Sequence, residues 1–324
     1  MRNLLTVMAL TALAALASIG HAADPKGTIP SVAPTAAPTI ASIAGSPLTV
    51  NVGSDHTFQI FNSAIPGAGQ IYPSSATGSA DMGWFVQVGA TKYAPDFSQH
   101  PSGTATANIG VNTAWTPGLI SGVTGAGTTA NPFKVTVTNG LPALSLNSSQ
   151  EVSYVNGENF FRKKFTLSNS SAAAITAVVF LGADIYLAGA DSGIPQLLSG
   201  APGGKDCTAG TYNILLIPQG IVAPTAYSAK AYNTVWTEIG AGALSNQVTT
   251  GCQDNGAALQ WNISIPAGGS TAVEAVTSFG AIPTGVITPV VIGPPVEVPL
   301  LAPLGVLLLG LCVGVVGIMR RRLR

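Results

Sequence analysis

Carboxylates have the best claim to chemistry in this chain. Asp184 and Asp191 lie in the glycine-rich stretch Gly182 to Gly193, and Glu151 and Glu158 stand behind them as a second pair. Glycosidic hydrolysis uses two acids about 5 to 10 Å apart, one protonating the leaving oxygen and one activating water or attacking carbon. The competing reading makes Asp184 and Asp191 turn caps, their side-chain oxygens accepting from backbone N–H groups. The same two aspartates, with Asp206 or backbone carbonyls, also offer the hard oxygen ligands that calcium requires, although their spacing is not that of an EF-hand loop.

Nucleophilic catalysis is less well supplied. His56 and His100 are the histidines outside the leader, neither in a triad context, and no G-x-S-x-G elbow occurs. Each is read as a surface or hydrogen-bonded loop residue. Trp84, Trp115, Trp236 and Trp261 offer either a stacking platform for flat ligands or partly buried core residues. Arg162-Lys163-Lys164 is the one basic cluster of the body and reads as protection of an exposed strand edge. Cys207 and Cys252 have no histidine near them to build a zinc site. As an even pair in an oxidising compartment they are expected to form a disulfide. Closing a loop of about 45 residues is worth on the order of 4 kcal/mol in the chain-entropy model.

The elements that must position these residues read as strands. Asn131 to Thr138 alternates cleanly, Phe133, Val135 and Val137 on one face and Lys134, Thr136 and Thr138 on the other. Glu151–Val155 and Asn159–Leu167 flank the hairpin signal Asn156-Gly157. His56–Phe61, Gly83–Val88, Ala174–Leu181, Tyr212–Ile217, Ala257–Ile265 and Thr271–Phe279 supply further short β-branched or aromatic runs between turn residues. No window of 11 or more residues in the body shows a 3.6-residue period. The fold class is therefore all-β, an antiparallel β-sandwich over residues 48–280, as one large or two small units. A proline-, alanine- and threonine-rich arm at 23–47 precedes it, and a proline-rich spacer at 281–297 follows.

Both ends address the chain. Met1-Arg2, the apolar run Leu4 to Ile19 and the small residues Gly20-His21-Ala22 form a secretory leader over residues 1–22, with signal-peptidase cleavage after Ala22. Val298 to Met319 is 22 residues without a charge, followed by Arg320, Arg321, Arg322 and Arg324. A helix of that length reaches roughly 33 Å, enough to cross the inner membrane once with the arginines on the cytoplasmic side. Between the leader and this tail, Asp24 to Glu297 holds 8 basic and 13 acidic residues. That sparse, mildly acidic balance leaves no electrostatic footprint for nucleic acid.

The tail over 298–324 resembles the sorting signal of exosortase-processed bacterial proteins, nearest the IPTL-CTERM variant of the PEP-CTERM class. Val298, Pro299, Leu301 and Gly305 fit that pattern, while Leu300 stands for the usual Thr and Leu304 for the usual Trp. The resemblance implies recognition by an exosortase-like membrane enzyme, cleavage near the short motif, and delivery to the cell envelope, surface or exterior. An ordinary uncleaved single-pass anchor is the alternative. Segments such as Phe160-Phe161-Arg162, Asp184-Ile185-Tyr186-Leu187 and Gln260-Trp261-Asn262 are loosely similar to uncharacterised secreted bacterial β-sandwich domains, which bring no activity with them.

These readings point first to a non-enzymatic exported envelope protein with a structural, adhesive or matrix role and no required cofactor. A carbohydrate-binding or carbohydrate-active sandwich, with extracellular polysaccharide as partner, is the alternative. An unprocessed single-pass envelope protein is the third.

Overall fold

The computed structural model describes residues 31–32, 37–65, 70–71, 82–96, 99–100, 112–187, 190–208 and 210–286. The leader with Ala22, the sorting motif Val298 to Gly305, the apolar tail and its arginines lie outside the described residues. Among those described, no helix is long and apolar enough to cross a membrane.

In chain order the first strands are β1 Ser31–Val32, β2 Ile40–Ala44, β3 Leu48–Gly53, β4 Thr57–Asn62, β5 Gln70–Ile71, β6 Met82–Val88, β7 Thr91–Ala94 and β8 Asn112–Ala114. Next come β9 Thr116–Ile120, β10 Phe133–Leu141, β11 Leu146–Tyr154, β12 Phe160–Asn169 and β13 Ile175–Tyr186. The last are β14 Ile194–Leu198, β15 Ala201–Lys205, β16 Asn213–Gln219, β17 Ala226–Ala231, β18 Gln247–Val248, β19 Asn255–Ile265 and β20 Ser270–Phe279, with the α-helix α1 Tyr232–Ala241 after β17. The larger sheet runs β1-β8-β7-β6-β4-β5-β13-β19-β17-β18, with β3 joined to β4 and β2 to β3. The smaller runs β14-β15-β16-β20-β12-β11-β10-β9. Most pairings are antiparallel; β1–β8, β7–β8 and β17–β18 are parallel. Strand β2 lies inside the stretch read as a proline-rich arm.

Alternation decides which side chains enter the core. In β11, Leu146, Val152 and Tyr154 are buried, and in β12 so are Phe161, Phe165 and Leu167, while Arg162 and Lys164 of β12 point outward. The facing sheet contributes Phe58, Trp84, Leu181 and Trp261 to the same cluster. Trp84 stacks on Phe165 across the interface, ring centres 4.9 Å apart and planes 15° apart. Each such ring removes a large apolar area from water, so the sandwich seam is the main stabilising feature.

Strand β13 reads as a nearly continuous apolar run because it is covered on both faces. Its outward Phe180 lies under α1, which buries Tyr232, Val235, Trp236 and Ile239 against Phe85 and Ala258. Those helix positions follow the i, i+3, i+4, i+7 pattern, but in ten residues, shorter than the window in which a helical period was sought. Gly182 is what lets the helix sit this close: a Cβ there would lie 2.6 Å from the Trp236 ring. The helix ends at Gly242, in the left-handed conformation with φ 85°.

Candidate functional site

The outward residues of the smaller sheet form a groove of about 540 Å³. Cross-strand register builds it. Glu151 of β11 lies opposite Lys164 of β12, Lys164 opposite Glu274 of β20, and Glu274 opposite Gln219 of β16. In the adjacent row Ser153, Arg162, Val276 and Ile217 follow the same strands. The hairpin turn at Gly157, φ 93°, brings Glu158 back beside Arg162.

The charges in the groove are paired. Arg162 donates twice to Glu158, at 2.7 and 3.2 Å, and its guanidinium lies 4.6 Å from the centre of the Phe160 ring. Lys134 reaches Glu151 at 3.2 Å and Lys164 reaches Glu274 at 3.7 Å. These partners are partly solvated, so each pair contributes little to stability, about 0–1 kcal/mol. They do hold planar polar groups in fixed places. The C-terminal side is walled by Thr284, Gly285 and Val286, and Ile282 and Val286 pack on the apolar patch of Phe160, Leu215, Ile217 and Val276.

Lys163 lies along the same groove but turns its amine into the core, and the edge-protection reading is corrected. Strand β12 is flanked by β11 and β20, so it is no edge, and the alternation that sends Arg162 and Lys164 outward sends Lys163 into the core at 1% exposure. There it donates to Thr277 Oγ1 and lies 4.4 Å from the Phe161 ring centre.

Of the expected acids, Asp184 and Asp191 meet and Asp206 stands apart. Asp184 sits within strand β13, buried, and not in a turn. Its carboxylate, that of Asp191 and that of Asp254 each offer an oxygen within 4.8 Å of one another. Oxygens sharing one calcium at 2.3–2.6 Å stand at most about 5 Å apart, so the trio has the spacing such an ion would need. Asp206 is not part of it. Its two oxygens accept from the backbone N–H groups of Thr208, Gly210, Thr211 and Tyr212, closing the loop after β15. That loop carries Cys207, which is bonded to Cys252 and ties the two sheets together.

Both histidines are hydrogen-bonded loop residues, as one reading had them, but both are interior, which corrects the surface alternative. His100 Nε2 lies 2.7 Å from Asp55 Oδ2. Burial pushes the Asp55 carboxyl up, but the charge of His100 and hydrogen bonds from His100 and Thr57 outweigh it and hold the carboxyl below its ordinary value. His56 is fully buried with φ 69°, and its Nε2 lies 2.8 Å from Ser148 Oγ. This serine–histidine contact is not a working triad. Among the described residues no acceptor orients Nδ1, and Ser148 is 1% exposed. Burial also lowers the imidazole to about 3, too weak a base to take the serine proton near neutrality.

The tryptophan platform is overturned as well: Trp84, Trp115, Trp236 and Trp261 are all at most 2% exposed. Sequence reasoning missed Glu274 and Gln219, which enter the groove only through the register of β20 and β16, and Asp254, which only the fold brings to Asp184 and Asp191.

No family model matches the chain, and no curated protein matches it. Solved structures do resemble it. A candidate aldose 1-epimerase from Klebsiella pneumoniae is 10% identical at a TM-score of 0.36, over 72% of this chain and 76% of that one. A second from Escherichia coli K12 is 8% identical at 0.39, over 76% and 100%. A heparan sulfate lyase mutant from Pedobacter heparinus is 11% identical at 0.43, over 80% of this chain; the chain spans 37% of that protein's length. By their descriptions these neighbours are enzymes, and the expectation of a non-enzymatic protein is withdrawn on that finding.

Proposed function

We propose that this is an exported carbohydrate-binding or carbohydrate-active β-sandwich that takes an uncharged saccharide along the groove of the smaller sheet. The observation that carries the reading is the row Glu151–Lys164–Glu274–Gln219 set beside Glu158, Arg162 and Phe160 in one groove. Carboxylate, guanidinium and carboxamide groups suit pairs of neighbouring hydroxyls, because each presents two acceptors or donors in a plane. Phe160 adds apolar surface for a C–H face of a sugar ring. The groove's volume falls in the range of small-molecule sites, about 300–1,000 Å³.

The pairing of charges supports an uncharged ligand. An anionic polymer would have to separate Arg162 from Glu158 or Lys164 from Glu274 before it gained a contact. Glu151 and Glu274 flank Lys164 at two strand spacings, about 9.6 Å between their Cα atoms. They are the acids to test for hydrolysis, since inverting cleavage works with carboxyl groups about 6.5–9.5 Å apart.

The proposal extends to the address: export through the leader ending at Ala22, and sorting or anchoring through the tail that begins at Val298. The sequence of those segments supports this, and so does the Cys207–Cys252 bridge, a bond typical of oxidising compartments. Signal peptidase, an exosortase-like enzyme and the inner membrane are the partners that follow.

Calorimetric titration of the purified protein with neutral, uronic and sulfated polysaccharides, together with an assay for new reducing ends, tests the reading. A neutral polymer should bind, and Arg162→Ala or Glu274→Gln should weaken it at least tenfold. Binding confined to anionic polymers, or indifferent to both substitutions, would overturn it.

A further inference from the structure

Phe165 of β12 stands at the centre of a group of buried polar atoms with no partner among the described residues. Around it lie the rings of His56, Trp84 and Trp115, at 5.2, 4.9 and 6.3 Å between centres, and Gln150 of β11 is its direct cross-strand neighbour. His56 Nδ1, Trp84 Nε1, Trp115 Nε1 and both amide atoms of Gln150 are out of solvent contact and make no hydrogen bond among the described residues. His56, Trp84 and Gln150 are fully buried and Trp115 is 2% exposed.

Native interiors leave only a few such groups unsatisfied per hundred residues, because each has given up its bonds to water. Five of those in this structure gather around one ring. The set mixes kinds: two indole N–H donors, an amide donor, an amide acceptor, and an imidazole nitrogen that donates or accepts according to tautomer. A cation does not suit it, since no carboxylate belongs to the group and the two indoles only donate. A molecule that both donates and accepts does. Trp115 also lines a cavity of about 170 Å³ together with Asp55, Asp96, Ser54 and Asn139. At about 30 Å³ per molecule, that space holds roughly five waters.

We infer that ordered water molecules occupy the sandwich interior beside Phe165 and bridge His56, Gln150, Trp84 and Trp115, entering by the cavity at Trp115. The turn before β4 supplies His56, β6 supplies Trp84 and β11 supplies Gln150, and the water joins them by hydrogen bonds where the surrounding seam is apolar. His56 sits in a backbone conformation that few non-glycine residues adopt.

Two measurements on the whole protein test the inference. A high-resolution crystal structure should show water oxygens within hydrogen-bond distance of at least two of the five atoms. Thermal unfolding of Gln150→Met, nearly the same shape without the amide, gives the second reading. With bridging water the substitution strips the water of two partners, and the midpoint should fall by roughly 2–4 °C. In a dry core the same change removes two unsatisfied atoms and the midpoint should rise. A rise, or electron density without water around unmoved side chains, would overturn the inference. The crystal structure decides the matter even if the variant fails to fold.

Discussion

The amine nitrogen of Lys163 lies 4.4 Å from the centre of the Phe161 ring, inside the sandwich and beside the Thr277 hydroxyl. Burial pushes its pKa well below the ordinary lysine value. The unfolded chain therefore binds more protons than the folded one between that lowered value and about pH 10.4, and stability rises with pH across the window. Lys163→Met should stabilise the protein at neutral pH by roughly 1–3 kcal/mol and flatten this dependence. Guanidinium unfolding at several pH values checks both; a less stable variant with an unchanged slope would rule the account out.

His56 governs the acid side. Its imidazole is lowered by burial to about 3 against an ordinary 6.5, and the Asp55 charge only partly offsets this. A histidine held neutral contributes stability that is complete above pH 6.5 and lost as pH falls toward 3. Over the full window the loss is on the order of 4 to 5 kcal/mol. Asparagine tolerates the left-handed backbone at this position, so His56→Asn should fold and lose most of that acid sensitivity. Chemical unfolding of both proteins at pH 7 and pH 4 makes the comparison.

The bridge between Cys207 and Cys252 joins the loop after β15 in the smaller sheet to the approach to β19 in the larger. Replacing both cysteines with serine should cost about 2–5 kcal/mol. Reductant should lower the wild-type midpoint and leave that of the double variant unmoved, which a pair of melting curves will show.

How much of this was legible in the sequence depended on the range of the physics. Alternation is local, so Phe133-x-Val135-x-Val137 and the Asn156-Gly157 hairpin could be read directly. The same alternation places Phe161, Lys163 and Phe165 on one face, and so buries Lys163; reading three adjacent basic residues as a surface cluster ignored the strand period. The groove was beyond reach. Glu151, Glu158, Arg162 and Lys164 could be seen, but Glu274 joins them only because β20 pairs with β12 across 110 residues. No local pattern encodes that register. The meeting of Asp254 with Asp184 and Asp191 is hidden for the same reason.

The groove's C-terminal wall offers a test that separates binding from stability. Ile282 and Val286 are only partly buried, and they seat the strap 281–286 on Phe160, Leu215, Ile217 and Val276. The Ser278 hydroxyl donates to the Ala281 carbonyl, and the Val286 N–H donates to that of Pro283, so the strap is held at few points. Ile282→Asp together with Val286→Asp should lift it, because a carboxylate cannot be seated on that apolar patch without a large desolvation cost. The sandwich seam is untouched, so the unfolding midpoint should move by no more than about 4 °C. Affinity for the bound saccharide should fall at least tenfold, a loss of about 1.4 kcal/mol. Lys134→Ala, at the opposite end of the charged row, should change affinity far less. If the strap variant binds as the parent does, the wall formed by Thr284, Gly285 and Val286 is no part of the binding site, and the groove must be bounded by the sheet alone.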